Sequence, residues 1–450
     1  MFKEDTIAAI TTGISNAGVG IIRISGDRAC EITDRVFQAE NKKKKASNMK
    51  SYTAAFGKIY DGDDLIDESI LLVMKAPHTY TCEDVCELQC HGGIVVLRKI
   101  LDLVLRNGAR AAEPGEFTKR AFLGGRIDMS QAESVMSLIN AKNDFAVRTS
   151  VDQLQGRLKN TIVNMREKIL YNVAFIESAL DDPEHYSLDG FPDKLRMIID
   201  DILIQVEGLI NTFDNGKILS EGINTVIVGK PNAGKSSLLN MFVGEDRAIV
   251  TDMAGTTRDT LSEIVNVRGI TLNIIDTAGI RETDDLVEKI GVDKAIKSVD
   301  KADLVLYVVD GSVELDENDQ RIIEKINKSD LEIKIERDAI CRYIDAEVIQ
   351  LSAMTGDGSE ELYDMLNKMF FEGSLSYNDQ LYITNARHKN ELVCTKNALE
   401  KVIESIDMGM EEDFFSIDMM DAYEHLGLII GETARDDLAD KIFKDFCMGK

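Results

Sequence analysis

The sequence lacks three features that would place the protein outside the cell or in a membrane. No apolar run in its 450 residues approaches the ~18 that a membrane span needs. The seven cysteines show no dense spacing, and no charged-then-apolar leader is recognisable. Basic residues are also scarce, since 52 Lys and Arg face 79 Asp and Glu, for a net charge of −27. We therefore expect a cytoplasmic protein with no membrane partner and no broad basic face for nucleic acid.

Hydrophobic residues make up 44% of the chain, enough for ordinary buried cores, and the length predicts two to four domains. Residues 1–120 alternate short apolar runs with turn signals, as at 18–26 and 69–74, which predicts an α/β domain. Residues 121–217 repeat apolar positions every three or four residues, with Pro183 and Pro192 at a predicted helix connection. A second helical stretch lies within 372–450. The predicted fold class is α/β plus all-α, with a discontinuous helical domain around a strand-and-turn segment at 218–371.

A phosphate-binding loop is predicted at residues 229–236. The apolar run 225–228 precedes Gly-Lys-Pro-Asn-Ala-Gly-Lys-Ser, and 237–242 predicts a helix, the order that a triphosphate cradle requires. Loop N–H groups and the helix N-terminus would face the phosphates. Lys235 would reach the β and γ oxygens, and the Ser236 hydroxyl would bind Mg²⁺. The predicted contacts of this loop are Asn232, Ala233, Gly234, Lys235, Ser236 and Ser237.

Two further motifs follow the loop in the order typical of a nucleotide switch. The apolar run 272–275 would deliver Asp276 to the magnesium shell and Gly279 to the γ-phosphate. A switch segment lies between the two motifs, and Thr257 is its predicted second hydroxyl on Mg²⁺. The predicted nucleotide contacts here are Thr251, Asp252, Met253, Ala254, Gly255, Thr256, Thr257, Asp276, Thr277, Ala278 and Gly279.

The predicted base is guanine. The carboxylate of Asp330, in the Asn327-Lys328-Ser-Asp330 segment, can accept both N1–H and the exocyclic amine of guanine, a donor pair that adenine lacks. The Ser352-Ala353-Met354 segment would contact the base oxygen through backbone N–H groups. GTP is therefore expected rather than ATP.

One spacing conflicts with this prediction. Only seventeen positions separate Asp310 from Asn327, whereas a crossover helix, a strand and two loops need roughly twenty or more. Either the helix is reduced or the strand is missing. The second alternative would misplace Asn327 and Asp330 and weaken guanine binding.

The source of the catalytic base is also open. Ile280 follows Gly279, at the place where small GTPases commonly carry a water-orienting glutamine. Glu288 is a candidate base, acting directly or through a second water. A solvated helix carboxylate is the alternative reading of Glu288.

Several separated segments resemble the MnmE (TrmE) family of tRNA-modifying GTPases. They are Asp5–Ala9, Gly18–Gly26, Glu83–Val85, Glu87–Gln89, His91–Gly93, Pro114–Thr118, Arg120–Leu123, the GTPase motifs and Phe446–Lys450. The resemblance implies an N-terminal folate-binding and dimerisation domain (1–120), a discontinuous helical domain (121–217 and 372–450) and an inserted Ras-like P-loop GTPase domain (218–371). The loop Thr12–Ala17 and Met448 depart from the family pattern.

The resemblance assigns roles in hydrolysis. Glu288 and Lys235 are the implied catalytic residues. Potassium would replace an arginine finger when two GTPase domains meet, with Asn232, Thr251, Met253 and Thr256 as its implied ligands. A cation at that place supplies positive charge where charge builds between the β and γ phosphates.

The resemblance also implies a second substrate and two partners. 5-Formyltetrahydrofolate or a related tetrahydrofolate would bind Arg23, Glu87, Arg126 and Lys450, with Cys447 as a candidate for the modification chemistry. Arg126 as a scaffold salt-bridge residue is the alternative. The homodimer would join an FAD-dependent, MnmG-like partner in a heterotetramer. Together they would add a (carboxymethyl)aminomethyl group to C5 of the wobble uridine (position 34) of certain tRNAs.

Other readings remain open from sequence. A ribosome-assembly GTPase that binds RNA would share the nucleotide motifs but not the N-terminal segments or the Cys447–Lys450 ending. A second open reading is a protein scaffold whose guanine binding has weakened. Separately, Cys82, Cys86 and Cys90 are predicted on one side of a strand as small apolar fillers, with a metal site as the alternative.

Overall fold

The structure is a computed structural model that describes residues 5–13, 16–229, 233–245, 263–275, 302–309, 349, 351–352, 355–371, 381–432 and 449. The chain divides into two compact units. The first comprises Met1–Ile139, Val151–Ile204 and Glu391–Lys450, and the second comprises Asn140–Ser150 and Gln205–Asn390.

A seven-stranded sheet forms the N-terminal part of the first unit, in the order β3-β4-β5-β6-β2-β1-β7. Its strands are β1 (Ile7–Ile10), β2 (Ala17–Ser25), β3 (Phe37–Ala39), β4 (Thr53–Asp61), β5 (Asp64–Met74), β6 (Val85–Gly92) and β7 (Arg110–Ala111). Neighbours are antiparallel except β1 and β7, which are parallel. The strands predicted within 18–26 and 69–74 are confirmed.

Two helices, α1 (Ala29–Val36) and α2 (Ile94–Arg106), contribute to the core on one face of this sheet. Strand residues alternate between faces, so Ile22, Ile24, Cys86, Leu88 and Cys90 are all buried in that core. The residues between them point to the opposite face. That second face carries Arg23 and Glu87, which belong to a candidate site described below.

The predicted helical stretches are helical, in shorter pieces than the periodicity suggests. The helices are α3 (Glu116–Leu123), α4 (Met129–Ile139), α5 (Asp144–Leu154), α6 (Arg157–Asp181), α7 (Phe191–Asn211), α8 (Phe213–Glu221), α11 (Ala386–Asp407) and α12 (Glu412–Ile430). Gly156 breaks the pattern between α5 and α6 in the left-handed conformation, with φ of 85°. Pro183 lies in a connection as predicted. Pro192 does not, because it is the second residue of α7, where a missing N–H costs nothing.

Helices from the two separated helical stretches pack against each other in the first unit. α6 buries Leu158, Ile162, Met165, Ile169 and Val173 at the predicted spacing, and α12 packs along it. The apolar repeat therefore positions distant parts of the chain together.

A four-stranded sheet lies in the second unit. Its strands are β8 (Ile223–Val228), β9 (Glu263–Val267), β10 (Ile270–Ile274) and β11 (Leu304–Tyr307), in the order β11-β8-β10-β9. β10 and β11 are parallel to β8, and β9 is antiparallel to β10. Helices α9 (Lys235–Glu245) and α10 (Ser359–Phe371) contribute to its apolar core. The predicted strands at 225–228 and 272–275 are confirmed within two residues at their ends, and the predicted helix at 237–242 lies within α9.

Sheets and helices together confirm the predicted combination of α/β and helical structure. In the described part of the chain, no helix has both the length and the apolar character to cross a bilayer.

Candidate functional sites

The predicted phosphate loop connects β8 to α9. Gly229 has φ of 153°, and a Cβ added there would lie 2.3 Å from the backbone oxygen of Val308. Only glycine fits such a close approach. The first residue of the loop is thus constrained by Val308, which directly follows the neighbouring strand β11.

Lys235 begins α9 and points its amine back along the loop. Its Nζ donates a hydrogen bond to the Gly229 carbonyl at 2.8 Å. Burial lowers the pKa of the Lys235 ammonium, and a phosphate beside the amine would oppose that effect. Ser236 and Ser237 lie in the first turn of α9, where backbone N–H groups favour an anion. The arrangement suits a phosphate chain running over the helix N-terminus.

The strand that leads to Asp276 ends at the same edge of the sheet. β10 is parallel to β8, and the Ile275 N–H donates to the Thr225 carbonyl at 2.9 Å, extending the ladder by one residue. Carboxyl ends of parallel strands meet at one edge, so the chain enters the predicted magnesium motif beside the phosphate loop.

Ser352 is described, within a tight turn. Its N–H donates to the Asp357 carbonyl at 2.9 Å, and its carbonyl accepts the Gly356 N–H at 2.8 Å. The Ser352 N–H is therefore used inside its own loop.

Many predicted site residues lie outside the described residues, and their roles stay predictions. They are Asn232, Thr251, Asp252, Met253, Ala254, Gly255, Thr256, Thr257, Asp276, Thr277, Ala278, Gly279, Glu288, Asn327, Lys328, Asp330, Ala353, Met354, Cys447 and Lys450. The segment between Asp310 and Asn327 is among them.

A second candidate site lies on the face of the N-terminal sheet opposite α1 and α2. Arg23 on β2 is directly opposite Glu87 on β6. The Arg23 Nε donates to the Glu87 Oε1 at 2.8 Å, with side chains 18% and 12% exposed. Strand alternation explains this placement, since both residues lie between buried core positions.

Tyr80 connects the two predicted folate arginines. The guanidinium carbon of Arg23 lies 5.6 Å from the Tyr80 ring centroid and 5.4 Å from that of Phe117. That of Arg126 lies 4.8 Å from the same Tyr80 ring. The structure thus brings Arg23, Glu87 and Arg126 together, and cation–π contacts orient both arginines.

A cleft of about 560 Å³ opens beside these residues. Its lining residues are Tyr52, Pro77, His78, Thr79, Tyr80, Cys82, Gly124, Gly125 and Arg126. The volume is in the range of small-molecule sites. Arg126 is exposed and pairs with no carboxylate in the described ranges, so no ion pair there supports the scaffold reading.

The chain end reaches the same domain. Gly449 is buried with φ of 91°, and an added Cβ would lie 2.4 Å from the Ile10 carbonyl oxygen. Ile10 pairs with Ile22 across β1 and β2, one residue from Arg23. Gly449 therefore lies at the end of the strand pair that carries Arg23.

A buried ion-pair network supports the cleft. Arg120 is 7% exposed, and its guanidinium donates to Asp5 Oδ1 (2.8 Å), Glu83 Oε1 (2.8 Å) and Glu116 Oε1 (3.0 Å). Glu83 also accepts from the Ser25 hydroxyl at 2.6 Å. The loop before Glu83 carries Tyr80 and Cys82, so this network fixes one wall of the cleft.

Sequence reasoning missed Tyr80, Phe117 and the partners of Arg120. The segments that carry Asp5, Glu83, Glu116 and Arg120 belong to the resemblance, but nothing in their spacing indicates that they meet. Tyr80 gave no separate signal.

The cysteine prediction holds in part. Cys86 and Cys90 are buried on one face of β6, as expected. The prediction for Cys82 is wrong, because β6 begins at Val85 and Cys82 lies in the preceding loop with φ of 64°. Within the described residues, no group of three or more His, Cys, Asp or Glu side chains could hold a metal ion.

Two family models match the chain. One, described as GTP-binding protein TrmE N-terminus, matches residues 6–126. The other, the MnmE helical domain, matches residues 129–447, well over half of the chain. The chain belongs to the MnmE family. The resemblance predicted from sequence is thereby confirmed.

Full-length relatives agree with the MnmE models. A protein named tRNA modification GTPase MnmE from Lachnoclostridium phytofermentans is 53% identical, with all of both chains covered. Proteins of the same name from Clostridioides difficile and Acetivibrio thermocellus are 44% and 45% identical, again over the whole of both chains. The two MnmE models divide the chain between α3 and α4.

Proposed function

We propose that the protein hydrolyses GTP as part of tRNA modification. The observation that carries this proposal is the predicted phosphate loop, where Gly229 packs against Val308 and the Lys235 amine donates to the Gly229 carbonyl. Full-length relatives that share about half of the sequence bear the name tRNA modification GTPase. The N-terminal family match at residues 6–126 favours this reading over a ribosome-assembly GTPase.

In this proposal residues 218–371 form a Ras-like GTPase domain inserted into a helical domain of 121–217 and 372–450. The parallel strands β8, β10 and β11 support it, because their order around the phosphate loop suits a nucleotide-binding α/β sheet. Residues 1–120 form the folate-binding and dimerisation domain.

The reaction is phosphoryl transfer to water. Lys235 and the N–H groups at the start of α9 hold the β and γ phosphates, while the hydroxyls of Ser236 and Thr257 would hold Mg²⁺. Bound Mg²⁺ neutralises charge on the phosphate oxygens. Glu288 positions the attacking water, since Ile280 has no polar group for that task. Asp330 selects guanine.

Potassium completes the charge balance in this proposal. Asn232, Thr251, Met253 and Thr256 would supply oxygen ligands when two GTPase domains of the homodimer meet. A cation there supplies the charge that an arginine finger supplies in other GTPases.

The N-terminal cleft is proposed to bind 5-formyltetrahydrofolate or a related tetrahydrofolate. Arg126 is exposed at the cleft, ready to pair with an anionic glutamyl tail. Arg23, Glu87 and Lys450 would recognise the rest of the ligand. Cys447, two residues before the anchored Gly449, is a candidate for the one-carbon chemistry.

An FAD-dependent, MnmG-like partner is proposed to form a heterotetramer with the homodimer. The product is a (carboxymethyl)aminomethyl group at C5 of uridine 34 in certain tRNAs. With a net charge of −27, this chain is poorly suited to grip tRNA phosphates broadly, so the partner would supply much of that surface.

Phosphate release from GTP tests the proposed hydrolysis. Turnover should be at least 10-fold faster in KCl than in NaCl at equal ionic strength, as expected for a charge-stabilising group in the transition state. Glu288→Ala should slow turnover about 100-fold or more while GTP affinity stays within about twofold. Equal rates in the two salts would remove the potassium proposal, and a large affinity loss would make Glu288 structural.

Calorimetric titration with 5-formyltetrahydrofolate tests the cleft. Arg126→Met should weaken binding at least 10-fold, because a charged hydrogen bond contributes about 1.5–3 kcal/mol. Arg106→Met is a matched control, since Arg106 is exposed and pairs with Asp61. Equal affinities for the two variants would contradict the assignment of Arg126.

A further inference from the structure

Two buried thiols meet beneath an ion pair on the helical side of the N-terminal sheet. Cys30 Sγ lies 3.6 Å from Cys86 Sγ. The Lys75 Nζ donates to Cys30 Sγ at 2.9 Å and pairs with Asp84 Oδ2 at 3.2 Å. Lys75 and Asp84 are 28% and 25% exposed, so solvent reaches the charged groups that contact the sulfur.

The surroundings favour ionisation of the Cys30 thiol and disfavour ionisation of the Cys86 thiol. The Cys86 thiol and the Lys75 ammonium both hydrogen-bond to Cys30, and they lower the pKa of Cys30 to about 7, although burial and the Asp84 carboxylate, 3.8 Å from the sulfur, act in the opposite direction. The pKa of Cys86 is raised, because its proton is held in the bond to Cys30 and its site is buried. Cys30 is also the second residue of α1, where the helix N-terminus favours an anion.

Cys90 shows what burial alone does. It lies on the same face of β6 as Cys86, within reach of Ser69 and the Leu88 carbonyl. Burial raises the pKa of Cys90 to about 12. A lysine and a second thiol therefore distinguish Cys30 from an ordinary core cysteine.

We propose that Cys30 and Cys86 form an oxidisable dithiol, in which Cys30 reacts with a hydroperoxide and Cys86 closes a disulfide. The Cys30 thiolate attacks one peroxide oxygen, the O–O bond breaks, and hydroxide (or an alkoxide) leaves, giving a sulfenic acid. The Cys86 sulfur then attacks the Cys30 sulfur, and its proton leaves with the sulfenic oxygen as water. Two thiols are oxidised as the peroxide is reduced.

The geometry permits the second step with a small movement. A disulfide has an S–S length of about 2.05 Å, so the sulfurs need to approach by about 1.5 Å. Cys30 lies in the first turn of α1, next to a loop, whereas Cys86 is held within β6. The approach would fall mainly on the start of α1. Glu87 faces the other side of the sheet, so the disulfide does not use the proposed folate cleft.

Disulfide mapping of the full-length protein tests the proposal. The reduced protein is treated with hydrogen peroxide at pH 7, free thiols are alkylated, and peptides are identified by mass spectrometry. The expected result is a peptide pair joined through Cys30 and Cys86, reversed by dithiothreitol, with Cys90 still free. Cys30 and Cys86 both alkylated after the treatment, or Cys90 oxidised at the same rate, would overturn the proposal.

Variants separate the two steps. In Cys86→Ser the sulfenic acid at Cys30 should persist and be trapped by dimedone, whereas an unreacted Cys30 would contradict its role as nucleophile. Lys75→Met should slow oxidation of Cys30 about 5- to 10-fold at pH 7, with the difference lost above pH 9, where Cys30 is ionised in both proteins. A rate independent of Lys75 at pH 7 would also overturn the account. Cys90→Ser is the control and should leave the Cys30–Cys86 disulfide unchanged.

Discussion

Replacing Arg120 with methionine tests whether the buried ion-pair network supports the N-terminal site. Methionine keeps much of the side-chain volume but removes every hydrogen bond that the guanidinium donates. Asp5, Glu83 and Glu116 would then face one another around an apolar group, with only Arg110 still paired to two of them. Loss of one partner from a buried ion pair costs about 3–5 kcal/mol.

Amide hydrogen exchange measures this loss locally, which matters because two compact units need not unfold together. A loss of about 3 kcal/mol corresponds to exchange that is on the order of 100-fold faster. The increase should appear in peptides covering β1, α3 and the loop that carries Tyr80. Strands β8 and β10 of the second unit should exchange as before.

Arg106→Met is the matched control for this experiment. Arg106 also makes a short ion pair, at 2.7 Å, but it is 61% exposed, and exposed pairs contribute little. We expect less than about fivefold faster exchange for it. Equal effects of the Arg120 and Arg106 variants, or an effect of Arg120→Met below tenfold, would refute the argument that burial makes this network important.

Two other predictions concern the phosphate loop and acid stability. Gly229→Ala should weaken GTP binding at least 10-fold, because its Cβ would meet the Val308 oxygen. In Gly269→Ala the added Cβ meets open space, and the change should cost only about 1 kcal/mol of backbone strain. Titration with GTP measures the first effect, and calorimetric unfolding measures the second. The hydrogen bond from Arg110 lowers the pKa of Asp5 below its usual 3.8. Ionised Asp5 therefore adds stability above about pH 4, and this stability is lost as the pH falls through the lowered pKa of Asp5. Asp5→Asn should reduce the dependence of unfolding free energy on pH in this acid range. An unchanged pH dependence would contradict the prediction.

Hydrophobic spacing predicted strands and helices well where the buried residues of each element follow its own period. Even spacing placed Cys86 and Cys90 correctly on one side of β6 because that strand buries one face. The strand and the helix that flank the predicted phosphate loop were predictable because strand, glycines and helix are consecutive in the sequence. The run from Val151 to Leu158 misled, since the apolar repeat continues across Gly156 although the helix does not.

Long-range contacts account for what sequence could not provide. Tyr80, Arg23 and Arg126 meet only after β2, β6 and α3 have packed, and no spacing along the chain encodes that meeting. Cys82 shows the opposite error, because an even spacing was extended beyond the start of β6. The lysine that contacts Cys30 is likewise visible only in three dimensions.

Titration of the full-length protein with GTP and with ATP, in the presence of Mg²⁺ and K⁺, tests the central claim most directly. The account predicts that GTP binds and is hydrolysed while ATP binds at least 100-fold more weakly, since Asp330 pairs with donors that adenine lacks. Equal binding of the two nucleotides, or no binding of GTP, would contradict it.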